Sequence, residues 1–86
     1  MRFFFRLPNG LTMENPHVID SRENVKYLKE YAYDLLSTRY DMSKFNYYIT
    51  LNHYILVNDN KQIRDLKCKS YDTIEIYITE KYPLLL

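Results

Sequence analysis

The sequence predicts an α+β domain in which one amphipathic helix packs on one face of a mixed sheet of four to five strands. Two patterns carry this prediction. Apolar residues alternate with a two-residue period near both ends of the chain, and one stretch between them has helical spacing. The chain has 86 residues, is 47% hydrophobic and has a net charge of +1, so it can bury one core and lacks the composition of a disordered protein.

The N-terminal segment is expected to form a β-hairpin, because its side chains alternate between an apolar and a more polar face. The inward set is Met1, Phe3, Phe5 and Leu7, and the outward set is Arg2, Phe4 and Arg6. Pro8-Asn9-Gly10 is a tight-turn sequence. It predicts a second strand in which Leu11 and Met13 face the core, until Pro16 breaks or ends that strand.

A helix is predicted from about Asp20 to about Tyr40. Asp20 precedes Glu23 by three residues, a spacing that lets two side chains cap the free backbone amides of a helix start. Apolar residues then form one stripe at helical spacing, with most charged residues off it. The stripe consists of Val25, Leu28, Ala32, Leu35 and Leu36. It should cover one face of the sheet.

Two more alternating segments are predicted to form central strands. In the first, Tyr47, Ile49 and Leu51 alternate with Tyr48 and Thr50; in the second, Ile74, Ile76 and Ile78 alternate with Glu75, Tyr77 and Thr79. Between them, Asn52-His53 predicts a turn into a short strand at residues 54–56, and residues 58–61 read as a loop. The centre of the core is expected to contain Phe3, Phe5, Val25, Leu28, Ile74 and Ile76.

This order of elements matches the β-grasp fold, and from Met1 to about Thr79 the chain resembles ubiquitin-like proteins. The segment ENVKYLK (residues 23–29) is similar to the start of ubiquitin's helix, and IRDLKCKSYDTIEIYI (residues 63–78) is similar to the run into its last strand. Residues 48–78 are also similar, without a gap, to the non-conjugated ubiquitin-like proteins that modulate pre-mRNA splicing. The resemblance implies a ubiquitin-like domain over residues 1–79 and a C-terminal tail over residues 80–86.

The resemblance also carries expectations about partners. In the splicing group an acidic residue at the helix start engages an arginine-bearing helical peptide, and Asp20 is its counterpart here; a helix cap is the alternative role. Conjugated modifiers end in Gly-Gly, whereas this sequence ends in Pro83-Leu84-Leu85-Leu86 and its only glycine is Gly10. We therefore expect no conjugation through the C-terminus. The tail is expected either to fold back over an apolar strip or to be captured by a partner.

The sheet face that the helix leaves uncovered is the predicted protein-binding surface. Alternation sends Phe4, Arg6, Tyr48, Thr50, Glu75 and Tyr77 to that face. Thr50, Tyr77 and Glu75 align with the apolar recognition patch of ubiquitin, which implies a different partner. Phe4, Tyr48 and Tyr77 are expected side by side, and aromatics with a nearby arginine are typical of protein interfaces. The alternative is cross-strand pairing that only stabilises the sheet.

Other chemistry-bearing residues have simpler interpretations. His17 and His53 are expected to be solvated surface residues, and Cys68 a small core residue, although its neighbours Lys67 and Lys69 leave a reactive thiol open. The sequence contains no phosphate-binding glycine loop and no evident nucleophile–base pair. We therefore expect no catalysis, no cofactor, no metal site and no small-molecule substrate.

The sequence predicts a non-catalytic adaptor, or a small subunit of a larger assembly, that binds another protein inside the cell, in the cytoplasm or nucleus. No segment is long and apolar enough to predict a membrane span. The alternative is a ribonucleoprotein- or ribosome-associated factor that contacts RNA through a basic edge. That edge would consist of Lys61, Arg64, Lys67, Lys69 and Tyr71.

Overall fold

The computed structural model describes residues 1–82, in which one helix packs against a five-stranded mixed sheet. The strands are β1 (Arg2–Arg6), β2 (His17–Val18), β3 (Phe45–Leu51), β4 (Tyr54–Ile55) and β5 (Thr73–Glu80). The helix is α1 (Val25–Ser37), and a short 3-10 turn covers Ile63–Asp65. The predicted α+β class is confirmed. The expectations for Pro83–Leu86 lie outside the described residues.

The sheet has the strand order β2-β1-β5-β3-β4. The first and last strands lie side by side near its centre and run parallel, with Phe5 opposite Ile74. All other pairs are antiparallel, and β5 pairs with β3 along seven residues of that strand. The two edges of the sheet are therefore the two-residue strands β2 and β4.

The core lies between α1 and one face of the sheet, and it contains every residue predicted for its centre. Phe3, Phe5, Val25, Leu28, Ile74 and Ile76 are all buried, with at most 2% of their surface exposed. Leu7, Ile19, Ala32, Leu36, Met42, Ile49, Leu51, Leu56 and Ile63 complete the buried set. The alternation in β1, β3 and β5 and the stripe on α1 thus have the predicted phase.

The start of α1 differs from the prediction. The helix begins at Val25 after Asn24, which makes no side-chain capping bond. The Asp20 carboxylate instead accepts hydrogen bonds from the backbone and guanidinium of Arg22, so the reciprocal cap with Glu23 does not form. The Val25 amide, one of the free donors of the first turn, donates to the Lys61 carbonyl in the neighbouring loop. A tertiary contact therefore supplies the cap.

The N-terminal hairpin also differs. The segment at Leu11 and Met13 is not a strand: it forms one isolated bridge, between Thr12 and Arg6. Leu11 is 58% exposed rather than core-facing, whereas Met13 packs against the core as predicted. The strand that pairs with β1 is β2, directly after Pro16. Proline lacks an N–H for a sheet ladder, so Pro16 precedes the paired residues instead of ending them.

The predicted turn into β4 is confirmed. Asn52 and His53 both have positive φ, 51° and 70°, as a two-residue type I′ turn requires. The Asn52 side-chain amide donates to the Lys67 carbonyl at 3.0 Å and to the Asp72 carboxylate at 3.3 Å. These bonds fix the tip of the β3–β4 hairpin to the loop that precedes β5.

Candidate functional site

The face of the sheet opposite α1, called here the open face, carries the predicted partner-binding residues of β1, β3 and β5. At its centre Tyr48 and Tyr77 are cross-strand neighbours. Their rings stack with centroids 5.1 Å apart and an interplanar angle of 16°. Tyr48 and Tyr77 remain 36% and 38% exposed.

A polar cluster lies beside this stack. The Tyr77 hydroxyl donates to Glu75 Oε2 at 2.7 Å, and Arg6 Nη1 lies 3.9 Å from the same oxygen. The hydrogen bond to Glu75 raises the pKa of Tyr77, because it stabilises the protonated phenol beside a carboxylate. The open face therefore joins an aromatic stack to an Arg–Glu pair, as the alternation of β1 and β5 predicts.

Thr50 does not match its predicted role. It lies opposite Glu75 on the open side of β3 but is only 7% exposed. Its partners on the two neighbouring strands are Glu75 and Ile55, and cross-strand partners in a sheet are in contact distance. Thr50 is therefore a buried part of the open face and not an accessible contact residue.

Phe4 is on the open face but not beside Tyr77. In the parallel register Phe4 is opposite Thr73, four residues before Tyr77, which is about 13 Å along a strand. Its ring instead packs against Tyr71, with centroids 6.2 Å apart. The predicted three-ring row is therefore wrong, and the open face carries two aromatic pairs, Phe4–Tyr71 and Tyr48–Tyr77.

Asp20 lies in the turn before α1, outside the sheet. Both of its carboxylate oxygens are engaged by Arg22, at 3.1 Å from Nε and 2.8 Å from Nη2. This pairing lowers the pKa of Asp20 to about 2. An arginine from a partner would have to displace an arginine that this chain already supplies.

His17 is not the solvated residue that the sequence suggests. Its ring stacks on Tyr31 with centroids 3.8 Å apart, and one ring nitrogen is 3.0 Å from the Tyr27 hydroxyl. Burial in this cluster lowers the pKa of His17. The i,i+4 spacing of Tyr27 and Tyr31 was the available signal, since it puts two aromatics on one helix face. His53 is exposed in its turn, as predicted.

Cys68 is half-buried and packs against the core. Burial raises the pKa of its thiol, so the reactive thiolate is disfavoured despite Lys67 and Lys69 on either side. Among residues 1–82, no three potential metal ligands come together. In the same range, α1 is too short and too polar to cross a bilayer.

A second surface, at the β4 edge of the sheet, was not predicted from the sequence. Tyr54, Ile55 and Val57 are 73%, 54% and 75% exposed. They border a cavity of about 410 Å³, called here the β4 groove. Its lining residues are Val25, Leu51, Tyr54, Ile55, Leu56, Val57, Asn58, Lys61, Asp65, Leu66 and Lys67. The sequence does contain a signal for this surface, the four successive apolar residues YILV at 54–57. A strand with one buried face can bury only alternate side chains, so some of these four must be exposed.

No protein-family model and no curated protein sequence matches this chain. Among solved structures, a ubiquitin-fold protein from Arabidopsis thaliana is similar, with a TM-score of 0.64 and 16% sequence identity. The match covers 100% of this chain and 90% of the plant protein. At this identity the likeness concerns the fold. Together with the parallel pairing of β1 with β5 and the single helix over one face, it establishes that the chain has a ubiquitin-like β-grasp fold.

Proposed function

We propose that this chain is a non-catalytic protein-binding module that recognises a partner non-covalently through its open face. It acts inside the cell, as an adaptor or as a small subunit of a larger assembly. The observation that carries the proposal is the exposed Tyr48–Tyr77 stack next to the Arg6–Glu75 pair. Tyrosine and arginine are the residue types that dominate the energetics of protein interfaces.

The chemistry of the open face supports a protein partner of mixed character. Stacked tyrosines offer rigid apolar area, because they lose little side-chain freedom on binding. Arg6 is 49% exposed at its side chain and Glu75 26%, so each can still contact a complementary group. Cross-strand stabilisation of the sheet is the alternative role of the stack, and the double variant below distinguishes the two roles.

The proposal predicts loss of binding when the two aromatic pairs are broken together. Phe4→Ser with Tyr77→Ser removes one ring from each pair. Truncation of two interface hot spots is expected to weaken partner capture at least about thirtyfold. Immobilised full chain and the double variant would be compared for partner capture by quantitative mass spectrometry, with circular dichroism to verify folding.

A control variant removes two exposed apolar groups elsewhere. Leu11 and Tyr33 are 58% and 44% exposed and lie outside the open face. The variant Leu11→Ser with Tyr33→Ser should retain capture. If a folded Phe4→Ser, Tyr77→Ser protein captures the same partner as well as the wild-type chain does, the open face is not the binding site.

The similarity to the splicing-associated group would add Asp20 as a contact for an arginine-bearing helical peptide. The bidentate Arg22–Asp20 pair makes this the weaker proposal, because the intramolecular arginine competes for the same oxygens. We therefore assign the main recognition role to the open face.

A second function, RNA contact by a ribonucleoprotein-associated factor, is supported by the basic edge. Lys61, Arg64, Lys67 and Lys69 are all exposed, and within residues 1–82 none of them forms a salt bridge. Unpaired cations clustered on one edge are the groups that neutralise phosphates.

Salt dependence tests this second function. If four cations each contact a phosphate of single-stranded RNA, affinity should fall about fiftyfold between about 50 and 200 mM salt. Replacing Arg64 and Lys69 by alanine should lower the logarithmic slope by about 1.4. Filter binding or anisotropy with an oligouridylate would measure both effects. If the logarithm of affinity does not change with the logarithm of salt concentration, RNA contact is excluded and only the protein-binding function is left.

A further inference from the structure

The β4 groove has exposed backbone as well as exposed side chains. β4 is the last strand in the sheet order, so within residues 1–82 no strand pairs with its outer side. The Leu56 amide donates to the Ile49 carbonyl, and Ile55 is opposite Thr50. Hydrogen-bonded and non-hydrogen-bonded pairs alternate in an antiparallel ladder, so the N–H and C=O of Ile55 point away from β3. These two groups are available to another strand.

The apolar side chains at this edge have no folding role that explains their exposure. Tyr54, Ile55 and Val57 are three of the large hydrophobic residues with more than half of their surface exposed. Proteins usually protect an edge strand with charges or proline, or keep it very short. Here β4 itself contains only Tyr54 and Ile55. Alternate apolar side chains beside a free strand edge are typical of sites that bind extended peptides.

The charged residues that line the groove indicate the charge of the partner. Lys61 and Lys67 lie at its rim and form no salt bridge within the described part of the chain. Asp65 is the one carboxylate in the lining, so the rim has a net charge of +1 from two lysines and one aspartate. Arg64, next in sequence to Asp65, is exposed as well. An acidic partner complements this rim.

The loop side of the groove is held in place by the rest of the fold. Asn52 binds the Lys67 carbonyl, and the Val25 amide binds the Lys61 carbonyl. The backbone that carries both lysines is therefore fixed relative to the hairpin and the helix start. A preformed groove loses less freedom on binding than a mobile one does.

We infer that the β4 groove is a second docking site, which binds an extended segment of another protein. The segment adds as a strand beside β4, inserts apolar side chains at alternate positions against Ile55, Val57 and Leu66, and places acidic residues near Lys61 and Lys67. Ile55 lies opposite Thr50, so its side chain borders the open face, whereas Lys61, Leu66 and Lys67 lie in the segment between β4 and β5.

The test uses the full chain and two fluorescein-labelled peptides of equal length. One has valine at alternate positions flanked by aspartates, and the other has lysine in place of each aspartate. Anisotropy titration should show saturable binding of the acidic peptide only. Nitrogen–proton correlation spectra should show shifts at residues 54–67 and none at Phe4 or Tyr77.

Matched charge reversals make the test specific. Lys61→Glu with Lys67→Glu should weaken the acidic peptide about tenfold, the sum of two exposed charge contacts. Arg39→Glu with Lys44→Glu changes the net charge equally at exposed positions at the opposite end of α1 and beyond it, and should change affinity less than about twofold. In a third variant, Ile55→Ser with Val57→Ser, the acidic peptide should also bind more weakly while the chain stays folded.

Four outcomes would overturn this inference. These are no saturation by about 1 mM acidic peptide, equal binding of the basic peptide, and peptide-induced shifts confined to the open face. The fourth is a different occupant: an oligouridylate that binds the groove more tightly than the peptide, or a dimer in sedimentation that Ile55→Ser with Val57→Ser dissociates. Failure of this test leaves the open-face function intact, because Lys61 and Lys67 lie between β4 and β5, whereas the open-face variants Phe4→Ser and Tyr77→Ser lie on β1 and β5.

Discussion

Replacing Ile76 by alanine is expected to lower the free energy of unfolding by about 2 to 5 kcal/mol, a typical cost for a buried isoleucine. Ile76 is 1% exposed and lies opposite Ile49, which is fully buried, at the centre of the β3–β5 pair. The truncation leaves a cavity that both strands and α1 border, and close-packed neighbours relax into it only in part. Urea denaturation followed by circular dichroism measures the change.

Thr79→Ala is the matched control for this prediction. Thr79 lies three residues further along β5, in the same strand and paired with Asn46, but its side chain is exposed. Its loss should cost below about 0.5 kcal/mol, as is usual for surface substitutions. A cost below that value for Ile76→Ala would mean that the inward and outward faces of β5 are interchanged.

The parts of the fold that the sequence predicted are those with a long periodic pattern. β1, β3, β5 and the stripe of α1 each repeat their period several times, so the phase of each could be read without structural information. The core residues followed from that phase. The turn at Asn52-His53 was also predictable, because few residue types tolerate two successive positive φ values.

The short elements could not be predicted from pattern. β2 has two residues, and its pairing depends on the path that the chain takes after the turn at Gly10. Leu11 and Met13 had the spacing of a strand but form no ladder beyond the bridge at Thr12. The cap of α1 comes from Lys61, 36 positions from Val25. Contacts this distant in sequence leave no local signal.

The candidate site was also predicted only where it depends on a periodic pattern. Alternation predicted which residues reach the open face, but only the parallel register shows that Phe4 is opposite Thr73 and away from Tyr77. Register between β1 and β5 depends on the whole intervening chain. The burial of Thr50 depends on strand partners on both sides, Ile55 and Glu75, which local pattern does not specify. The β4 groove requires the edge position of β4, which is a property of the sheet.

Phe5→Ala should have the other large effect, with a loss of about 3 to 5 kcal/mol in the free energy of unfolding. Phe5 is 2% exposed, and its ring packs edge-on against Tyr31 at 4.8 Å and against His17 at 6.3 Å. Aromatic pairs of this geometry add about 0.5 to 1.5 kcal/mol to the effect of burial. The truncation thus removes core volume and also loosens the aromatic cluster that joins α1 to β2.

Phe4→Ala is the sharpest control, because the same side chain is removed one position earlier on the opposite face of β1. Phe4 contacts Tyr71 on the open face, so its loss should cost about 1 kcal/mol or less. Urea titration of both variants gives the difference. For a domain whose total stability is about 5 to 15 kcal/mol, Phe5→Ala should shift the midpoint far below that of Phe4→Ala. Equal midpoints would contradict the assignment of Phe5 to the core and Phe4 to the open face.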